Sequence, residues 1–226
     1  PLTLILTPLF TLIKEDKDAH RQGIYDMMRK NSERILHLIN QMMDLRKIDK
    51  GQMVMHMSET DMVAFIGDEY KLFCQQAIAK SIQFTFEHED ETLPVWIDRD
   101  NFDKVLMNVL SNAFKFTPAG GRIRITLSHS PHHVRIAIKD SGKGIQEEKL
   151  ETIFQRFYQS TTTSNDRNVG TGIGLDLTRS LVELHYGTIT AAHNKTLDEA
   201  DWKEGSQFLI TLPLGNEHLK PEEMID

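Results

Sequence analysis

The sequence predicts an α+β protein, with an N-terminal helical hairpin that pairs into a dimeric four-helix bundle, then a mixed sheet with helices layered on one face. Three observations predict it. Ile24, Met28, Asn31, Ile35, Leu38, Met42 and Leu45 alternate spacings of four and three, a heptad seam within residues 18–49. Residues 82–86 (IQFTF), 122–127 (RIRITL) and 134–138 (VRIAI) alternate apolar with polar at the period of a half-buried strand. Strands and helices then mix without a regular strand–helix–strand rhythm, so a wholly parallel sheet is not expected.

Taken in order, residues 1–14 place Leu2, Ile5, Leu6, Leu9 and Ile13 at helical spacing. Pro8 removes a backbone donor and predicts a bend. In the second helix Ile39 and Met43 widen the apolar stripe beyond what one short partner helix covers, so a second copy is expected to bury it. A monomeric pair packed on the rest of the chain is the alternative. Residues 49–52 (DKGQ) stop the helix at glycine. That sets the hairpin at 1–50, a sandwich at 51–215, and a charged tail or linker at 216–226. Residues 53–57 (MVMHM) read as a short strand. Residues 61–79 read as a helix capped by Ser58 or Thr60, with Met62, Phe65, Ile66, Leu72, Phe73 and Ala77 inward. Strands follow at 82–86 and 93–97, then a helix from 101 that ends at Pro118. A hairpin at 122–127 and 134–138, a helix at 173–185 and strands at 188–192 and 207–212 complete the series.

Composition excludes several classes. Twenty-six basic against 33 acidic residues give a net charge of -7, without a long basic run, which argues against nucleic acid as a partner. The single cysteine, Cys74, forms no internal disulfide and fits a reducing compartment. No apolar run reaches the roughly 18 residues of a membrane span. Ten histidines show no metal-ligand spacing. The chain opens on proline inside an apolar pattern and reads as cut from something longer.

The chemistry gathers around residues 101–118, NFDKVLMNVLSNAFKFTP. At about 100° per residue, Phe102, Leu106, Val109, Leu110 and Ala113 share one face, while Asn101, Lys104, Asn108, Asn112 and Lys115 share the other. Asparagine is a mediocre helix former, so stability does not favour this stripe. Amide oxygens suit a hard cation such as Mg2+, and a lysine one turn on neutralises phosphate; a solvated face is the plain alternative. Asp140 follows a strand directly and opens DSGKGI, in which Gly142 and Gly144 permit a tight turn around a ligand edge or around nothing. Ionised, Asp140 only accepts hydrogen bonds and suits an exocyclic amine. Gly170, Gly172 and Gly174 open a helix whose free amino end favours phosphate. Before them, residues 159–168 (QSTTTSNDRN) read as a lid, from which Arg167 reaches phosphates or is simply solvated. Phe154, Phe157 and Tyr158 read as anchoring aromatics, and Gly205-Ser206 starts the last strand without derivable chemistry.

In this order, NxxxNAxKFTP, DxGxGI, FxRFY, GTGIGL and GSxF resemble the N, G1, F, G2 and G3 boxes of the sensor histidine kinase ATP-binding domain. PLTLI is similar to the end of that family's phosphoacceptor box. NSERILHLINQMMDLRKIDKG is similar to its second dimerisation helix, so the resemblance spans roughly residues 1–214. It implies an α/β sandwich of the GHKL (Bergerat) ATPase type behind a dimerisation and phosphotransfer hairpin, with ATP and Mg2+ as cofactors. Carried onto matching positions, Asn112 is the metal ligand, Asn108 and Lys115 are the catalytic residues facing phosphates, and Asp140 takes the adenine amine. Gly142 and Gly144 shape that turn; Gly170, Gly172 and Gly174 form the lid hinge and phosphate turn. Phe116 stands where the family often carries tyrosine and packs on the base without a hydroxyl.

The resemblance also implies a homodimer through residues 1–50, a response-regulator receiver domain as partner, and a cytosolic position in a membrane-anchored sensor. The family's phosphorylated histidine lies upstream of Pro1, outside this chain, and His20 and His37 sit in the wrong helix to replace it. Self-phosphorylation of this segment is therefore not expected. Lys104 occupies the place where hydrolytic relatives hold a water-activating glutamate, and a charged lysine cannot be that base. A GHKL-type ATPase switch and a non-enzymatic scaffold with a vestigial nucleotide site are the alternatives.

Overall fold

The structure, a computed structural model, describes residues 2–159, 172–194 and 204–225. It divides into two units, Pro1–Met53 and Val54–Asp226. In the first, α1 (Leu2–Glu15) packs against α2 (Ala19–Asp49). Their turn is tied by Asp16, whose carboxylate takes the Arg21 guanidinium at 2.7 Å and the Tyr25 hydroxyl at 3.0 Å. Asp18 caps α2, its side chain accepting from the Arg21 N–H at 2.9 Å. At the other end Gly51 turns left-handed (φ 63°), and the N–H groups of Gly51 and Gln52 return to the carbonyls of Ile48 and Lys47. This pair of hydrogen bonds closes the helix where the glycine predicts it. Of the seam residues, Ile24, Met28, Ile35 and Met42 stand 44–54% exposed, with Ile39 and Met43 beside them. Asn31 is exposed and donates to the Met27 carbonyl of its own helix.

In the second unit, β1 (Ser58–Asp61) pairs antiparallel with β3 (Pro94–Ile97). The main sheet has the order β2-β4-β5-β7-β6. Its strands are β2 (Gln83–His88), β4 (Arg122–His129), β5 (His133–Asp140), β6 (Thr188–His193) and β7 (Ser206–Pro213). Only β2–β4 is parallel; the other pairs are antiparallel. Alternate residues of the three central strands are buried: Ile123, Ile125 and Leu127 on β4, Val134, Ile136 and Ile138 on β5, Phe208, Ile210 and Leu212 on β7. Helices α3 (Met62–Ala79), α4 (Arg99–Phe116) and α5 (Gly174–Leu184) complete the layer. Phe114 of α4 lies with its ring centre 5.1 Å from both Phe73 of α3 and Phe84 of β2, joining three elements through one side chain.

Four expectations are corrected. Residues 53–57 form no strand; only Met57 makes a bridge, with Met224, and pairing begins at Ser58. Alternation in MVMHM mimics a strand, but its partner backbone, β3, lies alongside the polar residues that follow. The α3 cap is Asp61, accepting from the Val63 N–H at 3.1 Å, not Ser58 or Thr60. Leu72 is 67% exposed, whereas Val63 and Glu69 are buried. Residues 216–225 are not a loose tail: Leu219 is buried, Met57 N–H bonds the Glu223 carbonyl at 2.6 Å, and Tyr186 donates to Glu223 at 2.8 Å. Phe114→Ala removes a fully buried ring, so unfolding in urea is expected to show a loss of about 3–5 kcal/mol.

Candidate functional site

Helix α4 begins at Asp98, which caps it by accepting from the Asn101 N–H at 3.0 Å. Asn101, read as part of the wet stripe, is buried and donates its amide to the Asp98 carboxylate at 2.9 Å; it belongs to the cap rather than to a site. Asn108 is half-buried and donates from Nδ2 to the Gly174 carbonyl at 3.3 Å, which brings the stripe to the amino end of α5. Asn112 lies half-buried one turn on, and Lys115 is exposed with its ammonium 4.9 Å from the Phe116 ring centre.

Asp140 ends β5 with 2% exposure. A buried carboxylate must be hydrogen-bonded. Oδ1 accepts from the Gly142 N–H at 2.8 Å and Oδ2 from the Ser206 hydroxyl at 2.6 Å. Burial pushes its pKa up, and those bonds and His193 pull it back. Gly142 is required by contact: a Cβ there would lie 2.6 Å from the Phe116 carbonyl and 2.7 Å from Asp140 Oδ1. Gly205 is required more strictly, since at φ +111° a Cβ would lie 1.8 Å from the Asp140 carbonyl. That same carbonyl accepts from Asn194 Nδ2 at 2.9 Å. Gly144 turns beside the imidazole of His193.

The G2 segment meets the F segment next. Phe157 donates its N–H to the Gly172 carbonyl at 2.8 Å, and Arg156 pairs with Asp176 of α5 at 2.8 Å. Arg179 reaches Glu151 at 3.0 Å and lies 4.2 Å over the Phe154 ring. The N-cap residue of α5, Ile173, makes no side-chain capping bond, and the amino end of a helix favours an anion. Gly170, Arg167 and all of the expected lid except Gln159 fall within residues 160–171, outside the described residues.

The structure therefore brings Asn108, Phe116, Asp140, Gly142 and Gly174 onto one helix and its two neighbouring turns. Sequence reasoning missed Ser206, Asn194 and Lys143. Ser206 faces Asp140 across the β5–β7 register, a relation invisible before the strands are paired. Lys143 lies 5.1 Å over Phe116, so two ammonium groups attend one ring; a lysine inside a glycine turn was the available signal. Among the described residues no group of three or more histidine, cysteine, aspartate or glutamate side chains is placed to hold a metal. A neutral amide such as Asn112 fits Mg2+ only where phosphate and water supply the other ligands.

The chain belongs to the histidine kinase-, DNA gyrase B- and HSP90-like ATPase family, whose model matches residues 97–216, and it carries that family's ATP-binding domain. Within the family its relatives are sensor histidine kinases. Histidine kinase P4 of Formosa agariphila is 34% identical over all of this chain. The catalytic domain of histidine kinase ThkA is 30% identical, with a TM-score of 0.61, covering 71% of this chain and 99% of that one. ThkA in complex with the response regulator TrrA covers 96% of this chain and 59% of that one, with a TM-score of 0.65 and 23% identity, a likeness of fold. The chain spans 15–22% of the length of the first curated relatives.

Removing the Ser206 hydroxyl strips one bond from a buried carboxylate. Ser206→Ala is expected to weaken adenine-nucleotide binding about tenfold by calorimetry, and Asp140→Asn, which puts a donor where an acceptor stands, to weaken it further.

Proposed function

We propose that this chain is the core of a sensor histidine kinase that transfers the γ-phosphoryl group of Mg·ATP to an imidazole on a dimerisation helix, for relay to a response-regulator aspartate. One observation carries the reading: the same helix, α4, touches the Gly142 turn beside Asp140 and the amino end of α5. Asn108 and Phe116 lie about 12 Å apart along that helix, a span suited to one extended nucleotide.

Asp140 accepts the adenine amine with the lone pairs left over by Gly142 and Ser206. Phe116 packs near the base, and Lys115 neutralises phosphate charge at the end of the stripe. Asn108 and the N–H groups at Gly172 and Gly174 hold the phosphate chain, and Gly170 and Arg167 are assigned to the same nucleotide by their place in the sequence. Asn112 would hold Mg2+, which when bound neutralises charge on the phosphate oxygens. The protein's work is positioning: the acceptor nitrogen attacks the γ-phosphorus as its bond to the bridging oxygen breaks, and ADP leaves.

Lys104, whose ammonium bonds Asn101 Oδ1 at 3.1 Å, supports transfer over hydrolysis, since a cation is a poor base for water. The exposed apolar stripe of α2 supports homodimerisation through residues 1–50. Among the described residues no helix is long and apolar enough to cross a membrane. Relatives named as sensor kinases, of which this chain spans 22–35%, support a position on the cytosolic side of a longer sensor. ThkA's complex with a regulator supports a receiver domain as partner.

Asn112→Ala is expected to abolish the Mg2+-dependent part of ATP affinity in calorimetry with and without chelator; an unchanged Mg2+ dependence removes the metal assignment. In a chain extended upstream to include the family's histidine, radiolabel from γ-labelled ATP should appear as acid-labile, base-stable phosphate. Steady phosphate release without labelled protein would instead favour an ATPase switch.

A further inference from the structure

Helices α4 and α5 pack against each other, with ties near both ends of α5 that meet α4 at its start and its middle. At one end Asn108 donates to the Gly174 carbonyl at 3.3 Å. At the other, the N–H of Asp98 donates to Nε2 of His185, the residue that ends α5, at 3.1 Å. At 1.5 Å per residue the ties are roughly 15 Å apart along α4 and roughly 16 Å along α5, two rungs of nearly equal spacing. The far rung is a polar tie that sets the end of α5 against the start of α4.

His185 is built for that rung. It is 2% exposed, with its ring edge-on to Phe102 at 5.3 Å. Nδ1 stands 2.7 Å from the Leu181 carbonyl, which can only accept, so the ring proton lies on Nδ1. Nε2 is left as a lone-pair acceptor for Asp98. The Asp98 carboxylate is already engaged: Oδ1 takes the Asn101 N–H, and Oδ2 takes the Asn101 amide at 2.9 Å and the His56 N–H at 3.0 Å. Its backbone N–H therefore has the imidazole as its partner. A protonated ring would turn a second N–H toward that donor and break the rung.

We propose that His185 is a positioning residue for the nucleotide site: through Asp98 it sets α5 against α4, and so holds Gly172 and Gly174 opposite Asn108 and Asn112. This rests on the nucleotide-binding reading above. Burial pushes the imidazole's titration below its ordinary range, and the Asp98 carboxylate, the charged group acting on it, pulls the other way. The neutral, accepting ring is the native form.

The test uses the whole chain and Mg·ADP as probe, by calorimetry, with far-UV circular dichroism to confirm folding. His185→Leu removes the acceptor and is expected to weaken binding about tenfold at neutral pH. His185→Gln puts an amide oxygen where Nε2 stood and cannot titrate, so it should bind within about twofold of wild type. Because burial lowers the His185 titration from histidine's ordinary value of about 6.5, wild-type affinity should fall relative to His185→Gln only below that pH. A folded His185→Leu chain that binds like wild type, or wild type and His185→Gln weakening in parallel down to the lowest pH at which both stay folded, overturns the inference. If His185→Leu does not fold, the pH comparison alone decides. A wild-type chain that binds no Mg·ADP at all would instead bring down the nucleotide reading itself.

Discussion

Helix α4 buries Phe102, Leu106, Leu110 and Phe114 against its neighbours, and each such side chain contributes roughly 1.5–3 kcal/mol. That apolar face fixes the rotation of the helix and therefore decides which residues face away from the sheet. At 3.6 residues per turn the outward row must include Asn108, Asn112 and Lys115. Stability alone would fill that row with better helix formers. The amides are tolerated because the opposite face holds the helix in place, so the core finances a stripe chosen for chemistry.

The second constraint is the buried carboxylate. Asp140 at 2% exposure would be costly alone, and the chain offsets the cost with two short hydrogen bonds to its oxygens and one from Asn194 to its carbonyl. Gly142 is two residues away, but Ser206 and Asn194 come from segments far apart in sequence, so the full set of bonds forms only when β5, β6 and β7 are paired. The same pairing lets Gly205 pass against the Asp140 backbone, where a side chain has no room. An acceptor with spare lone pairs, held rigidly and lifted in pKa by burial, selects a donor-bearing ligand edge. On the proposed reading, the acceptor is lost as the pH falls through that raised pKa, so adenine recognition is expected to fade at a higher pH than for a solvated aspartate.

Much of this was legible because it rests on local periodicity. The face of α4, the alternation of β4, β5 and β7, and the glycine at the end of α2 follow from spacing alone. What was not legible depends on register. Ser206 acquires a role only as the cross-strand partner of Asp140. MVMHM has the alternation of a strand but no ladder partner, whereas polar SETD has one in β3. Asn101 lies on the outward arc of α4 by angle, yet the first turn of a helix is where caps form, and Asp98 draws it inward. The residues from Glu217 read as a tail or linker because they are charged; Tyr186 and the Met57 backbone give that charge and backbone somewhere to bind.

On the proposed reading, the choice between hydrolysis and transfer depends on one position rather than on the fold, which this chain shares with histidine kinase-, DNA gyrase B- and HSP90-like ATPases. A water molecule attacking phosphorus needs a base within hydrogen-bond reach. The α4 position one turn before Asn108 carries Lys104 instead, and its ammonium is engaged with Asn101 at 3.1 Å. A site of this kind stabilises charge on phosphate yet leaves water unactivated, so bound nucleotide persists until a better nucleophile arrives. Neutral imidazole is such a nucleophile and needs little activation near neutral pH. On the proposed reading, slow hydrolysis and efficient transfer are therefore one property: the absence of a carboxylate at residue 104 preserves the phosphoryl group for the acceptor that the hairpin delivers.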